Sequence, residues 1–256
     1  PYYNLGINFR EKGKLDDAIN FYNKVIQMKP DYAHAYCSKG IALRVKGNLE
    51  ESENCHNKAI KLKQNYAEAY DALSSTLLLK GDYEKAFKLS EWRWSTKQNI
   101  GEKLITSKPS WTNNNDHVVF VWKEQGVGDE ILYCSMINEL AEKSKKVILN
   151  CDKRLISLFK RSFHKNIIFE SNRKLINEND YDSHLSMGSL PFFFRKNKNN
   201  FKNSSNGYLK ADNAKTLNIK KKLKNNPSTK LIGISWGSKS TRSMSSFRNI
   251  DLKDLT

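Results

Sequence analysis

The sequence predicts an α + α/β protein: a helical repeat array followed by a parallel-sheet α/β region. Three observations predict it. Gly13, Gly47 and Gly81 stand 34 residues apart, a period that belongs to stacked helical hairpins. Asp31-Tyr32-Ala33-His34-Ala35-Tyr36 returns at the same step as Asn65-Tyr66-Ala67-Glu68-Ala69-Tyr70. Beyond residue 97 the helical period gives way to short apolar runs separated by helix-length segments, the pattern of alternating strands and helices.

The array divides into residues 1–30, 31–64 and 65–97. In the first unit Tyr2, Leu5, Gly6 and Phe9 fall at helical spacing, and Gly13 breaks the helix because glycine tolerates the turn. Leu15, Ala18, Ile19, Tyr22, Val25 and Ile26 then form the stripe of a second helix that ends at Pro30. The second unit keeps Tyr36, Gly40, Leu43, Gly47 and Ala59 but carries Ser52, His56 and Gln64 at less typical places. The third keeps Tyr70, Leu73, Leu77, Gly81 and Ala86, with Ser74 where the others have glycine. Small residues let paired helices approach, and large ones fill the neighbouring groove. The pattern resembles the tetratricopeptide repeat. That resemblance implies an α-solenoid of three helical hairpins whose concave face presents itself to a peptide or partner protein, or which braces the next domain. His34 and His56 are expected on helix surfaces or between helices.

Leu89-Ser90-Glu91-Trp92-Arg93-Trp94 closes the array. Two tryptophans one residue apart cannot share a helix face. One is expected to pack on the repeats and the other on the next domain, making this an interdomain joint. Residues 98–116, with Pro109 and the run Asn113-Asn114-Asn115-Asp116, read as a linker.

Residues 117–229 read as the α/β domain. Val118–Trp122 is a β-branched and aromatic run, the mark of a buried strand. A helix through Ile131, Leu132, Met136, Ile137 and Leu140 comes after it, then a strand at Val147–Leu149. A helix around Leu155–Phe159, a strand at Ile167–Phe169 and a short strand within Tyr181–Met187 complete the pattern. It implies a parallel sheet with helices on both faces. Between the first strand and helix lies Gln125-Gly126-Val127-Gly128-Asp129. Ile131 occupies the third glycine position of a dinucleotide fingerprint, and the Walker lysine is missing, so neither a dinucleotide cofactor nor a P-loop is expected. What remains is a tight turn at the C-terminal end of a strand, where α/β folds bind ligands. Asp129 stands at the start of the helix and either caps it or does chemistry.

Gln125-Gly126-Val127-Gly128-Asp129-Glu130-Ile131 resembles the first glycine loop of heptosyltransferase-like glycosyltransferases of GT-B type, and most closely bacterial proteins that fuse tetratricopeptide repeats to such a domain. Trp92-Arg93-Trp94 is similar to that family's Glu-x-Arg-Trp joint, and Tyr181–Pro191 to its Asp-x-His-x-x-x-x-Ser-Leu-Pro segment. Gly207-Tyr208-Leu209 resembles its Pro-Tyr-Leu, with glycine replacing proline, and Ile232–Gly237 resembles the strand that opens its second domain. The resemblance implies a Rossmann-like GT-B N-terminal domain at 117–229 and the start of a truncated donor domain at 230–256. It implies transfer of a sugar from a nucleotide-sugar donor to a protein or glycan acceptor, with no metal and no other cofactor. Asp129 would be the catalytic base that takes the acceptor's proton. Gln125, Gly126, Gly128 and His184 would line the acceptor cleft, His184 being equally readable as a structural strand-end residue. Lys239, Arg242 and Arg248 would hold the donor diphosphate, or else belong to a solvated loop. The alternative is a non-catalytic repeat scaffold with a degenerate transferase domain.

The bulk properties fit either reading. The chain has 256 residues and a formal charge of +17. It lacks an initiating Met, starts inside a repeat and reads as a piece of a longer protein. Its lysines are dispersed, and no zinc-finger, helix-turn-helix or RNP-type motif accompanies them, so nucleic acid is not the expected partner; a basic surface also suits an anionic small ligand. Cys37, Cys55, Cys134 and Cys151 show no metal-ligand spacing and read as core thiols of a reducing, cytoplasmic setting. No run of 18 apolar residues suggests a membrane span.

Overall fold

The structure, a computed structural model, describes residues 1–97, 103–124, 126–201 and 207–223. The chain separates into two compact units, Pro1–Lys210 and Ala211–Thr256.

The first unit begins with six helices: α1 (Tyr2–Glu11), α2 (Leu15–Met28), α3 (Ala33–Lys46), α4 (Leu49–Leu62), α5 (Ala67–Lys80) and α6 (Tyr83–Ser90). They pair as three hairpins. Gly13, Gly47 and Gly81 make the turns at φ of +74°, +88° and +85°, a left-handed geometry that other residues adopt only with strain. Inside each of the first two hairpins a small residue faces a ring. A Cβ on Gly6 would fall 2.5 Å from Tyr22 Cε1, and one on Gly40 would fall 2.5 Å from His56 Cε1. Stepping both positions by 34 gives Ser74 and Ser90 in the third unit. There the ring is gone, the glycine is no longer required, and Ser74 Oγ donates to Ala86 O at 2.8 Å. His56 lies fully buried between the helices. Neither ring nitrogen has a partner among the described residues, and burial pushes its pKa down to about 4, with Arg44 adding to the effect.

The 3-10 turn Glu91–Ser95 comes directly after α6. Trp92 stacks on Tyr70 of α5 with ring centroids 4.2 Å apart and planes at 9°. Trp94 packs against Trp122 of the sheet at 5.0 Å. The two tryptophans therefore divide between repeats and sheet, as their spacing predicts.

The sheet region contains β1 (Val118–Trp122), α7 (Val127–Tyr133), α8 (Ile137–Ala141), β2 (Lys146–Asn150), α9 (Ile156–Ser162), β3 (Ile167–Glu170), β4 (Ser183–Ser186) and α10 (Leu190–Phe194). The four strands are parallel in the order β3-β2-β1-β4. Val119 pairs with Val147 on one side and Ser183 on the other. Val119, Val121, Val147 and Leu149 share one core with Ile137, Leu140, Phe159 and Leu190 of the helices. Phe120, Trp122 and Ile148 point to the other face, where Tyr181, Trp94, Leu104 and Ile176 cover them. Among the described residues, helices thus line one face rather than the two expected. The physical reason is the connection from β3 to β4. It carries only the 3-10 turns Arg173–Leu175 and Glu178–Asp180 and no α-helix, and leaves a face that the joint's Trp94 fills. Within the expected linker, Ser110 bridges to His184 in parallel register, and Trp111 is buried.

In the second unit α11 (Asn213–Leu223) ends with Lys220, Lys221 and Lys222 in its last turn, a placement that favours the helix dipole. The expected strand at 231–236 and Lys239, Arg242 and Arg248 lie outside the described residues, as does Gln125.

Candidate functional site

Helical spacing puts Ile41 and Arg44 of α3, and Glu68, Asp71, Ala72 and Ser75 of α5, each on one face. The first helices of the hairpins lie against one another, α3 touching both α1 and α5, and so form the inner wall of the array. Between α3 and α5 these residues, with Thr96 and Lys97 at one end, enclose a groove of about 420 Å³. Its charges are incompletely satisfied. Arg44 Nε is buried with no hydrogen-bond partner among the described residues, and burial lowers the Arg44 pKa against the opposing pull of Asp71. Burial raises the Asp71 pKa, with Arg93 and Arg44 acting in the other direction. The two groups thus feel each other's charge, yet no hydrogen bond or ion pair joins them among the described residues. At the rim the Lys97 backbone N–H meets Glu68 Oε1 at 3.5 Å.

The sheet offers a second place. Strand order reverses between β1 and β4, and the crevice outside the strand ends there is where α/β sheets bind ligands. Here the joint fills it. Arg93 Nε donates to Glu124 Oε2 at 2.8 Å, and its Nη2 donates to Ser186 Oγ at 2.9 Å and Ser189 Oγ at 3.0 Å. Its Nη1 donates to Glu91 Oε1 at 2.8 Å. Burial works to lower the Arg93 pKa, but the hydrogen bonds and charge of Glu124, with Glu91, outweigh it and the net direction is up. The Glu124 side chain is only 4% exposed and also accepts the Gly188 N–H. Any Cβ at Gly188 would run into that carboxylate.

The glycine loop sits just beyond β1. Asp129 Oδ2 accepts the Gly126 N–H at 3.2 Å, while the Asp129 and Glu130 N–H groups both donate to Gly126 O at 3.0 Å. Asp129 is thus held as a helix-start cap. Neither glycine is demanded by the backbone: Gly126 has φ of −80°, and a Cβ on Gly128 would meet nothing within 4 Å. Glu130, which the sequence did not single out, is buried and accepts the Asp152 N–H at 2.7 Å. Burial raises its pKa against that hydrogen bond. In the sequence it is one of two acidic residues in a helix's first turn, and nothing separates it from a solvated one.

His184 lies elsewhere. With Trp94, Trp111, Trp122, Lys103 and Glu91 it lines a cavity of about 130 Å³. Trp122 Nε1–H donates to His184 Nδ1 at 3.3 Å. Indole nitrogen only donates, so this ring is neutral and carries its proton on Nε2. Burial lowers the His184 pKa, with Lys103 and Arg173 adding to it. Its backbone is structural as well, its N–H donating to Pro109 O at 3.0 Å and its carbonyl accepting from Trp111 at 2.9 Å. Asp129, Gly126 and Gly128 are not among the residues that line this cavity.

Comparison with known proteins identifies the arm. Residues 6–44 match a family model described as TPR repeat, and residues 33–66 match the tetratricopeptide repeat model. The N-terminal helices are therefore tetratricopeptide repeats. The first TPR of Spaghetti (RPAP3) bound to the HSP90 peptide SRMEEVD is 22% identical, covering 39% of this chain and 79% of its own, with a TM-score of 0.37. The TPR2B domain of yeast Sti1 in its pHsp70 complex is 21% identical over 37% of this chain and 76% of its own, with a TM-score of 0.35. The Sgt2 TPR domain from Aspergillus fumigatus is 18% identical over 39% and 66%, with a TM-score of 0.37. Comparison with curated proteins gives no match.

Proposed function

We infer that the tetratricopeptide arm is a peptide-binding module, with an extended peptide lying in the groove between α3 and α5. The observation that carries this reading is the groove itself. It is a concavity of about 420 Å³ between α3 and α5, lined by the apolar Ile41 and Ala72 and by charged groups, of which Arg44 Nε lacks a partner among the described residues. Repeat arrays use such surfaces for extended ligands. Fluorescence anisotropy of a labelled peptide library against the whole chain tests it. Ser75→Trp fills the groove and is expected to weaken bound peptides by about tenfold or more. Unchanged binding by the filled variant sinks the reading.

A second reading attaches to the sheet, and it is the one the glycine loop favours. In it the chain belongs to a metal-independent glycosyltransferase that uses a nucleotide sugar as donor. Gly126 and Gly128 have no fold-based need to be glycine, and they stand at the C-terminal end of β1, where close approach of a substrate gives them a purpose. Asp129 would act as base toward the acceptor hydroxyl, releasing the Gly126 N–H as it does so. Donor turnover by the longest available form of the protein is expected to fall by about 100-fold or more in Asp129→Asn; full turnover in that variant excludes the role.

A further inference from the structure

The groove between α3 and α5 pairs two charges that no described residue satisfies. The Arg44 side chain makes no hydrogen bond among the described residues, and its Nε is shut off from solvent. Asp71 faces it across the groove, raised in pKa by burial and feeling Arg44 without bonding to it. Burying the Arg44 Nε–H without a hydrogen bond costs about 1 to 3 kcal/mol, while the rest of the guanidinium and the half-buried Asp71 carboxylate stay open to the groove. The fold has nearby means to avoid that cost and does not use them. Glu68 turns to the Lys97 backbone, and Ser75 lines the same groove without bonding to either charge. The site asks for one acceptor aimed at Arg44 and one donor aimed at Asp71.

A charged ligand group answers only half of this. A carboxylate suits Arg44 but meets Asp71 and Glu68; an ammonium suits Asp71 but meets Arg44 and Lys97. The lining totals two positive and two negative side chains, so the groove is neutral although the chain as a whole is at +17. A planar carboxamide answers both halves at once, because it offers a carbonyl acceptor and an NH₂ donor from a single group.

Building on the peptide reading of this groove, we propose that it selects an uncharged peptide segment bearing a Gln or Asn side chain. The amide carbonyl accepts from the Arg44 guanidinium, the amide NH₂ donates to the Asp71 carboxylate, and the ligand's apolar stem lies on Ile41 and Ala72.

The test measures binding of short end-blocked peptides that differ only in a central Gln, Glu or Lys to the intact chain. The Gln peptide is expected to bind about tenfold more tightly than either charged analogue, the difference one charge-assisted hydrogen bond supplies. Arg44→Met is expected to remove that preference by weakening the Gln peptide about tenfold. Asp71→Asn is expected to shift it toward the Glu peptide, because the repelling carboxylate is gone. Tightest binding of the Glu or Lys peptide to the unaltered chain overturns the proposal. So does a Gln peptide that binds Arg44→Met unchanged, and in that case the Ser75→Trp result still decides whether the groove binds peptides at all. If no peptide binds, both readings fall together.

Discussion

Arg93 in the joint and Arg44 in the groove make a natural experiment. Both sit close to α5, both are removed from much of the solvent, and both feel Asp71. Arg93 bonds two glutamates and two serines drawn from both sides of the arm–sheet boundary. The Arg44 side chain bonds nothing among the described residues. A fully engaged guanidinium is a construction element, fixing planar geometry between segments that would otherwise slide. An unengaged one at the wall of a groove keeps donors available to a ligand. The difference separates the part of the arm that builds the protein from the part that is free to bind.

The largest expected effect comes from breaking the engaged member. Arg93→Ala leaves Glu124 buried without its cation and should destabilise the first unit by about 3 to 5 kcal/mol, measured by urea denaturation. Loss of less than about 1 kcal/mol would mean the joint is not what holds arm and sheet together. The comparison sharpens at Arg44, where Arg44→Met removes the buried, unbonded Nε–H and should stabilise the first unit by about 1 kcal/mol; a loss of about 1 kcal/mol or more would mean that Arg44 is engaged.

His56 extends the contrast, since it too lacks partners among the described residues but is sealed inside a hairpin with no groove to receive a ligand. Its pKa is held near 4 against an ordinary value of about 6.5. Between those values the unfolded chain binds more protons than the folded one. Stability is therefore intact above about pH 6.5 and falls as pH drops toward about 4, by about 3 kcal/mol in all. Chemical denaturation across that range should show this slope, and His56→Phe should remove it. At neutral pH the same substitution should stabilise by about 1 kcal/mol, because the first hairpin already seats the ring of Tyr22 against Gly6 and an unbonded polar ring is exchanged for an apolar one. A destabilised Phe variant would show that the second hairpin is packed more tightly than the first.

The smallest expected effect concerns the third hairpin. Ser90→Tyr restores a ring opposite Ser74 and should be tolerated better when Ser74→Gly is added. A double-mutant cycle should give a favourable coupling of about 1 kcal/mol; zero coupling would mean that positions 74 and 90 do not face each other as 6 and 22 do.

These cases also show what a sequence makes legible. The hairpins, their turns and the division of labour between Trp92 and Trp94 could be read because repeat contacts recur at a fixed step. Strands β1, β2 and β3 could be read because β-branched runs are local signals, whereas β4, Ser183–Ser186, has no β-branched residue. The bare face of the sheet could not, because its cover comes from Trp94, far away in the chain, and the β3–β4 connection forms 3-10 turns instead of a helix. The Arg93–Glu124–Gly188 cluster and the Arg44–Asp71 groove were equally out of reach, since each joins residues related only by folding. A faint signal for the groove did exist: Arg10 and Arg44 occupy the same repeat position, 34 residues apart. Asp129 was legible as a helix start, and the structure shows that capping geometry, while Glu130 beside it carried no mark of its burial.

The most direct measurement of the central claim, that the unengaged Arg44 marks a ligand groove, is photo-crosslinking of a central-Gln peptide to the intact chain with adducts mapped by mass spectrometry. The account predicts adducts on the α3 segment at Ile41–Arg44 and the α5 segment at Asp71–Ser75, lost in Ser75→Trp. Adducts confined to the cavity around Trp94, Trp122 and His184, with α3 and α5 unlabelled, would contradict it.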